Sequence, residues 1–196
     1  MNKFLSFFNP FFAYIDTGKI FRKPFGWLYG ILAIVNALLP FIILYWMIDS
    51  GLFSYAEGGQ VIGLVLLWLV VLAAGWFSVL LWWNRMSKVT KLTSDNDDFV
   101  VTPAYAHLLQ TFGEWLGGYI AIFGALSALV TWLFFGSETG IANALFRTLG
   151  LDGVLSAGPA GIILAPVYGF LLLIIFRFVA ELSRALACIA NNTKKR

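Results

Sequence analysis

Long apolar stretches alternate with short polar segments along the 196 residues of the chain. Four of these stretches contain no Asp, Glu, Lys, Arg or His, and they cover residues 27–48, 61–83, 116–135 and 156–176. A helix needs roughly 20 apolar residues to cross a hydrocarbon core of about 30 Å. None of the four shows the alternating pattern of a barrel strand. The pattern therefore predicts an all-α integral membrane protein with four transmembrane helices.

The N-terminal 26 residues have a different pattern. Aromatic and aliphatic residues recur there at helical spacing, at Phe4, Phe7, Phe8, Phe11 and Ile15. This spacing predicts an amphipathic helix that lies in the headgroup layer, where nearby lysines are available to acidic lipid headgroups. The predicted organisation is an interfacial segment over residues 1–26, followed by a four-helix transmembrane domain over residues 27–196.

Composition supports a lipid environment. Hydrophobic residues make up 60% of the chain and charged residues only 12%, about half the charged fraction of a typical soluble domain. So few charged groups cannot cover a water-exposed surface. The four stretches also use so much of the chain that no separate soluble domain fits.

The distribution of positive charges indicates which side of the membrane each loop and terminus faces. Twelve of the thirteen Lys and Arg residues lie before span one, between spans two and three, or after span four; only Arg147 lies in one of the other two loops. Basic loops stay on the cytoplasmic side of a membrane. Both termini are therefore predicted to be cytoplasmic. On that side, Thr102-Pro103 looks like the start of a helix that runs along the membrane surface and enters span three through Gly117-Gly118.

Two parts of the sequence resemble each other. Phe25-Gly26-Trp27-Leu28 matches Phe112-Gly113-Glu114-Trp115-Leu116 if Glu114 is an insertion. Both segments enter the membrane from the predicted cytoplasmic side. The match therefore predicts two parallel-repeat hairpins related about the membrane normal. Chance similarity stays open as the alternative, because membrane sequences draw on few residue types.

Small residues, two prolines and one amide within the spans are candidates for helix packing. Small side chains let helix backbones approach closely in lipid, either within one chain or in a homodimer. Proline removes a helical hydrogen bond and favours a kink. The amide, Asn36, precedes one proline by four residues and could bond the freed carbonyls or a neighbouring helix. The candidates are Asn36, Pro40, Gly117, Ala121, Ala125, Gly161, Ala165, Pro166 and Gly169.

Three charged residues follow span four on one helical face: Arg177, Glu181 and Arg184. The i, i+4 spacing allows Glu181 to pair with an arginine, while Arg177 can extend to the headgroup layer. The face is interpreted as an interfacial anchor or, alternatively, as a contact site for acidic lipid headgroups or a membrane-complex partner.

Residues for catalysis are scarce. The chain has one histidine, His107, and one cysteine, Cys188, so multi-histidine metal sites and an intrachain disulfide are excluded. The acidic cluster Asp95, Asp97 and Asp98 lacks the glycine and closing glutamate of a calcium loop. There is no phosphate-binding glycine loop and no basic stretch typical of nucleic-acid binding. The sequence predicts neither an enzyme nor a cofactor or metal site.

The C-terminal part resembles a bacterial family of small membrane proteins known as domain of unknown function 4282. The resemblance rests on Leu164-Ala165-Pro166, Arg177, Glu181-Leu182, Ile189-Ala190 and Asn192-Thr193, with Phe8, Phe12, Ile15, Lys19-Ile20 and Tyr29 similar to the family's opening segment. It covers spans one and four with their flanks. It implies a bacterial inner membrane and a recurring Arg177–Glu181 motif, but no activity.

Two functions remain from these observations. The first is a non-enzymatic scaffold or accessory subunit of a membrane complex. The alternative is a small transporter or channel formed by oligomerisation, with a polar path lined by Asn36, Ser78, Ser127 and Thr131.

Overall fold

The computed structural model of the chain describes residues 8–11, 13, 19–91, 101–136 and 159–194. Within these ranges the regular structure is helical and contains no strand. The helices are α1 (Lys19–Asp49), α2 (Leu52–Tyr55), α3 (Gly59–Val89), α4 (Val101–Phe134) and α5 (Pro159–Lys194). A single helical turn, α2, thus lies between the first two long helices.

Four of these helices, α1, α3, α4 and α5, are long and apolar enough to cross a membrane. In the part of the chain that the structure describes, this agrees with the predicted number of spans and indicates a multi-pass membrane protein. The four contain 31, 31, 34 and 36 residues, and at 1.5 Å per residue they are roughly 46 to 54 Å long. Each is longer than the hydrocarbon core of about 30 Å, so each extends beyond it.

The helix limits differ from the predicted ones at two places. Residues 19–26, assigned above to the interfacial segment, belong to α1. The predicted surface helix is not separate from span three, because α4 runs unbroken from Val101 through Gly117-Gly118 to Phe134. Glycine does not end a helix there because backbone groups in a membrane must be satisfied within the helix. Residues 1–7, 12 and 14–18 of the predicted interfacial segment, and residues 156–158 of span four, lie outside the described ranges, whereas residues 8–11 and 13 are helical.

The connection between α1 and α3 turns on glycine. Gly51 has a φ of 70° and its N–H donates to the carbonyl of Ile48 at 3.0 Å, while Gly58, just before α3, has a φ of 47°. Residues with a Cβ rarely adopt positive φ. The two glycines therefore end α1 and start α3, and the chain returns as an antiparallel hairpin.

The long helices form an open row. α1 packs on α3, α3 on α4 and α4 on α5, whereas α1 makes only a small contact with α4 and none of comparable size with α5. In the most apolar part of each helix, 44% of the α4 residues are buried but only 11% of those in α5. Within the described ranges, α5 is therefore an outer helix supported on one side, by α4.

Two apolar clusters hold the row together. One includes Met47, Leu64, Val71 and Phe123 near the connection of α1 with α3. The other lies at the opposite end, where Tyr29, Ala33, Trp82 and Val89 join α1 to α3. The second cluster lies directly beside the polar contacts described next.

Candidate functional site

The polar side chains of the described helices concentrate at the basic end, defined as the end of the row that carries Arg85, Lys88, Arg177 and Arg184. There, α1, α3, α4 and α5 are joined by hydrogen bonds and one ion pair between side chains. This cluster is the candidate functional site because it is where charge, buried polar groups and aromatic rings meet.

Tyr29 of α1 connects to α4 through its hydroxyl group. The hydroxyl is hydrogen-bonded to Nδ1 of His107 at 2.9 Å and donates to Oγ1 of Thr111 at 3.5 Å. Thr111 in turn donates to the carbonyl of His107 at 2.8 Å, and the rings of Tyr29 and His107 stack at 5.9 Å. The Tyr29 side chain is fully buried. Its hydroxyl would be costly to bury without these partners.

Trp115 of α4 joins the two helices of the other hairpin. Its indole N–H donates to Oγ of Ser78 at 3.0 Å and to Oδ1 of Asn36 at 3.3 Å. Asn36 also donates from Nδ2 to the carbonyl of Leu32 at 2.8 Å. Both the oxygen and the nitrogen of the Asn36 amide thus have hydrogen-bond partners. Of the two alternatives predicted for Asn36, the structure shows the bond to a neighbouring helix.

A third set of contacts carries charge. Arg85 of α3 forms an ion pair with Glu114 of α4 at 2.7 Å, and Gln110 donates to the same carboxylate at 2.9 Å. Arg184 of α5 donates to the side-chain oxygen of Gln110 at 2.8 Å. A continuous chain of four side chains therefore links α3, α4 and α5. Both members of the ion pair are largely buried, so the pair is less screened by solvent than a surface pair.

The predicted charged face on α5 is divided by the structure. Arg177 and Glu181 form an exposed i, i+4 ion pair at 3.0 Å. An exposed pair of this kind contributes little to stability. Arg184 is exposed too, but it reaches across to α4. The three residues therefore do not form one isolated patch: two are paired with each other and the third belongs to the charged chain.

Pro40 lies inside α1, where its ring packs against α3. A Cβ at Gly75 would lie 2.9 Å from Cγ of Pro40 and 3.1 Å from the carbonyl oxygen of Asn36, so only glycine fits there. The indole N–H of Trp68 donates to the carbonyl of Pro40 at 3.0 Å. The proline is thus packed against α3, and the kink at this position stays a prediction.

The small residues lie where α4 and α5 cross. A Cβ on Gly117 would collide with the carbonyl oxygen of Gly169, and a Cβ on Gly169 would collide with that of Gly117 and with Ala121. The two backbones therefore touch directly at this point. Gly161 and Ala165 are buried, Ala125 is partly buried, and Pro166 lies inside α5 but is exposed. The structure uses Gly117, Ala121 and Gly169 to pack helices within one chain.

Two buried hydroxyls have no hydrogen-bond partner among the residues that the structure describes. Ser127 and Thr131 of α4 are fully buried and their side-chain oxygens are unsatisfied, as is the indole nitrogen of Trp82. An apolar cleft of about 240 Å³ lies elsewhere, between α1 and α3, beside Pro40, Phe41 and Trp76. No group of three or more potential metal ligands occurs in the part of the chain that the structure describes.

Sequence reasoning missed most of the cluster at the basic end. The sequence predicts a solvated or interfacial His107 on the surface helix, and it indicates for Glu114 only an insertion in the repeat. A signal was present: His107, Gln110, Thr111, Glu114 and Trp115 recur at the three- and four-residue spacing of one helix face. Their partners on other helices could not be identified from spacing.

Comparisons with models of protein families, with curated proteins and with solved structures find no match. The resemblance of spans one and four to domain of unknown function 4282 stays a prediction.

Proposed function

We propose that the protein is a non-enzymatic scaffold or accessory subunit of a membrane complex, and that the outer face of α5 holds the partner. The observation that carries this proposal is the open row of helices, in which, among the described residues, α5 packs mainly on α4. The remaining faces of α5 carry large apolar side chains that point away from the chain. Such a helix can take a neighbouring membrane helix without any rearrangement of the row.

The use of polar side chains supports the same proposal. Asn36, Ser78 and Trp115 are bonded to one another, and Arg85 and Glu114 are paired. These groups hold helices together, which is a structural role. The alternative, an oligomeric transporter, is favoured by the unsatisfied hydroxyls of Ser127 and Thr131. However, both are buried inside the single chain, so an interface between copies would not bring them to a shared path.

Photo-crosslinking in native membranes tests the proposed face. A benzoylphenylalanine at Phe170 of α5 is compared with one at Phe41 of α1; the two side chains are 62% and 60% exposed. We expect a discrete adduct with a different protein at Phe170 and only lipid adducts at Phe41. Lipid adducts alone at both positions would contradict a scaffold role for α5. An adduct of twice the chain's own mass would report self-association instead.

We further propose a cytoplasmic location for both termini in a bacterial inner membrane. The support is the charge asymmetry of the loops and, for the compartment, the family resemblance. Cys188 provides the test, since it is the only cysteine and is exposed near the end of α5. A membrane-impermeant maleimide should label it only after the membrane is opened. In a Cys188→Ser background, Ser54→Cys should be labelled in intact cells. Labelling of Cys188, but not of Ser54→Cys, in intact cells would show the opposite topology.

The two-hairpin repeat is also a proposal. Its support is an equivalence of contacts: Gly26 of α1 faces Thr90 at the end of α3, and Gly113 of α4 faces Phe176 of α5. Each glycine thus meets the returning helix of its own hairpin. If the hairpins are equivalent units, residues 1–96 and 97–196 expressed as separate chains should each insert with both ends on one side and reassociate. Failure of either half to insert would argue against independent hairpins.

A further inference from the structure

α5, with 36 residues, is longer than a membrane crossing needs. A membrane crossing of about 20 residues that starts at Pro159 ends near Phe178, and it leaves roughly 16 residues of α5 beyond the crossing. This extension is held along the first turns of α4. Arg184 bonds Gln110 of α4, and a groove lined by Thr102, Ser183, Leu186, Ala187 and Ala190 lies between the helices. The extension therefore stands away from the bilayer as half of a two-helix stalk.

One stripe of α5 that runs into this stalk is apolar and is not covered by any other part of the chain that the structure describes. The side chains that define it follow each other at intervals of four, three, four and three residues, and each is between 40% and 62% exposed. That interval is the heptad repeat of a coiled coil, in which every such side chain fits between residues of a facing helix. We name this stripe the seam, and its members are Ile175, Val179, Leu182, Leu186 and Ile189.

The seam is distinct from the surface that α4 already covers. Ala180 is fully buried against the rest of the chain, and Ser183 and Ala187 are partly buried. The last three seam residues, in contrast, lie beyond the predicted hydrocarbon layer. Lipid cannot cover them there, and exposing large apolar side chains to water is unfavourable. An occupant of the seam outside the membrane is therefore expected.

We propose that the occupant is the seam of a second copy of this chain, joined as a parallel coiled coil. The membrane gives both copies the same orientation and depth, so identical residues face each other in register. The seam itself carries no charge. At about 100° per residue, Arg177, Glu181 and Arg184 lie about 120° or more around the helix from its centre. Two identical stalks can thus approach without bringing like charges together.

The flanks of the seam fit the same occupant. Ser183, Ala185 and Ala190 are small, so a second helix can come close. The groove between α4 and α5 has a volume of about 370 Å³ and opens beside Leu186, where a side chain of the facing helix can insert. Along the extension, α4 occupies one side of α5 and the charged face another, so one further helix fills the remaining side there. The predicted assembly is a dimer in which two stalks form a four-helix bundle. It does not depend on the proposed scaffold function.

Cysteine crosslinking of the full-length protein in native membranes tests the geometry. In a Cys188→Ser background, Ile189→Cys and Leu182→Cys place a thiol in the seam. The natural Cys188 is a matched control, next to Ile189 in the chain but about 140° around the helix from the centre of the seam. With a mild oxidant we expect most of the two seam variants to migrate at twice the monomer mass, and the wild-type protein to remain monomeric.

Three results would overturn the proposal: both seam variants stay monomeric, Cys188 crosslinks as readily as they do, or the seam thiols link to a protein of another mass. A second measurement is independent of cysteine chemistry. Leu186→Glu should convert dimers to monomers in nanodiscs, whereas Cys188→Glu should leave the dimer intact. Dimers that persist in Leu186→Glu would also refute the seam. If that variant does not fold, the cysteine comparison decides by itself.

Discussion

Replacing Gly169 with alanine should destabilise the packing of α4 against α5. The added methyl group would collide with the carbonyl oxygen of Gly117 and lie 2.9 Å from Cβ and 3.1 Å from the backbone nitrogen of Ala121. Two of these three atoms belong to the backbone, so no side-chain rotation can relieve the contact. The helices must move apart at the point where they cross.

The size of the effect follows from two opposing contributions. Overpacking of a well-packed interior costs about 1–3 kcal/mol, and a clash with backbone atoms belongs at the upper end. Alanine also favours the helix by up to about 1 kcal/mol relative to glycine. The net loss is therefore about 2 kcal/mol, which is roughly a thirtyfold change in the unfolding equilibrium.

Reversible unfolding in mixed micelles measures this loss, and Gly30→Ala is the matched control. A Cβ at Gly30 would have Sδ of Met86 as its nearest neighbour, at 3.7 Å, which is ordinary contact with a flexible side chain. We expect Gly30→Ala to be neutral or slightly stabilising. If Gly169→Ala were as stable as Gly30→Ala, the direct backbone contact between α4 and α5 would be refuted.

Other substitutions probe the polar cluster by the same measurement. Trp115→Phe removes the donor to Ser78 and should cost about 0.6–2 kcal/mol, the range for hydrogen bonds within membranes; it should not add to Ser78→Ala, and full additivity would exclude a direct bond. Glu114→Gln removes the negative charge that pairs with Arg85 and should cost about 1.5–3 kcal/mol. An unchanged stability would show that Arg85 does not pair with Glu114. Thr131→Val removes an unsatisfied hydroxyl and should be neutral or stabilising, whereas Thr111→Val loses a hydrogen bond and should destabilise the protein. Equal changes in stability for the two substitutions would contradict an unsatisfied hydroxyl at Thr131 and a bonded one at Thr111.

The contacts of Gly117 show how far small-residue spacing can be interpreted. Spacing alone identifies a face on which a backbone can approach, and it leaves open whether the other backbone belongs to the same chain. The structure pairs Gly117 with Gly169, and the candidate face for self-association moves to Leu182, Leu186 and Ile189. The exposure of these three side chains depends on how the helices pack, so it cannot be inferred from the residue types.

His107 and Asn36 illustrate a second limit. A polar residue in an apolar helix must find a partner, which the sequence indicates for Asn36. The partner itself, the indole of Trp115 on another helix, depends on how α1 and α4 are rotated and staggered. No local sequence pattern determines the rotation or the stagger of a helix. For the same reason the sequence predicts a solvated or interfacial His107, although its side chain bonds the buried Tyr29.

The sequence by itself determined that four helices cross a membrane, because the length and polarity of each stretch are local quantities set by the thickness of the hydrocarbon layer. It also placed most of the charge at one end of the helices. Only the tertiary structure decided that the helices form an open row, that Glu114 joins Arg85, and that the apolar seam of α5 remains uncovered. These features depend on contacts between residues far apart in the chain, and in lipid such contacts rest on close packing and hydrogen bonding rather than on hydrophobicity.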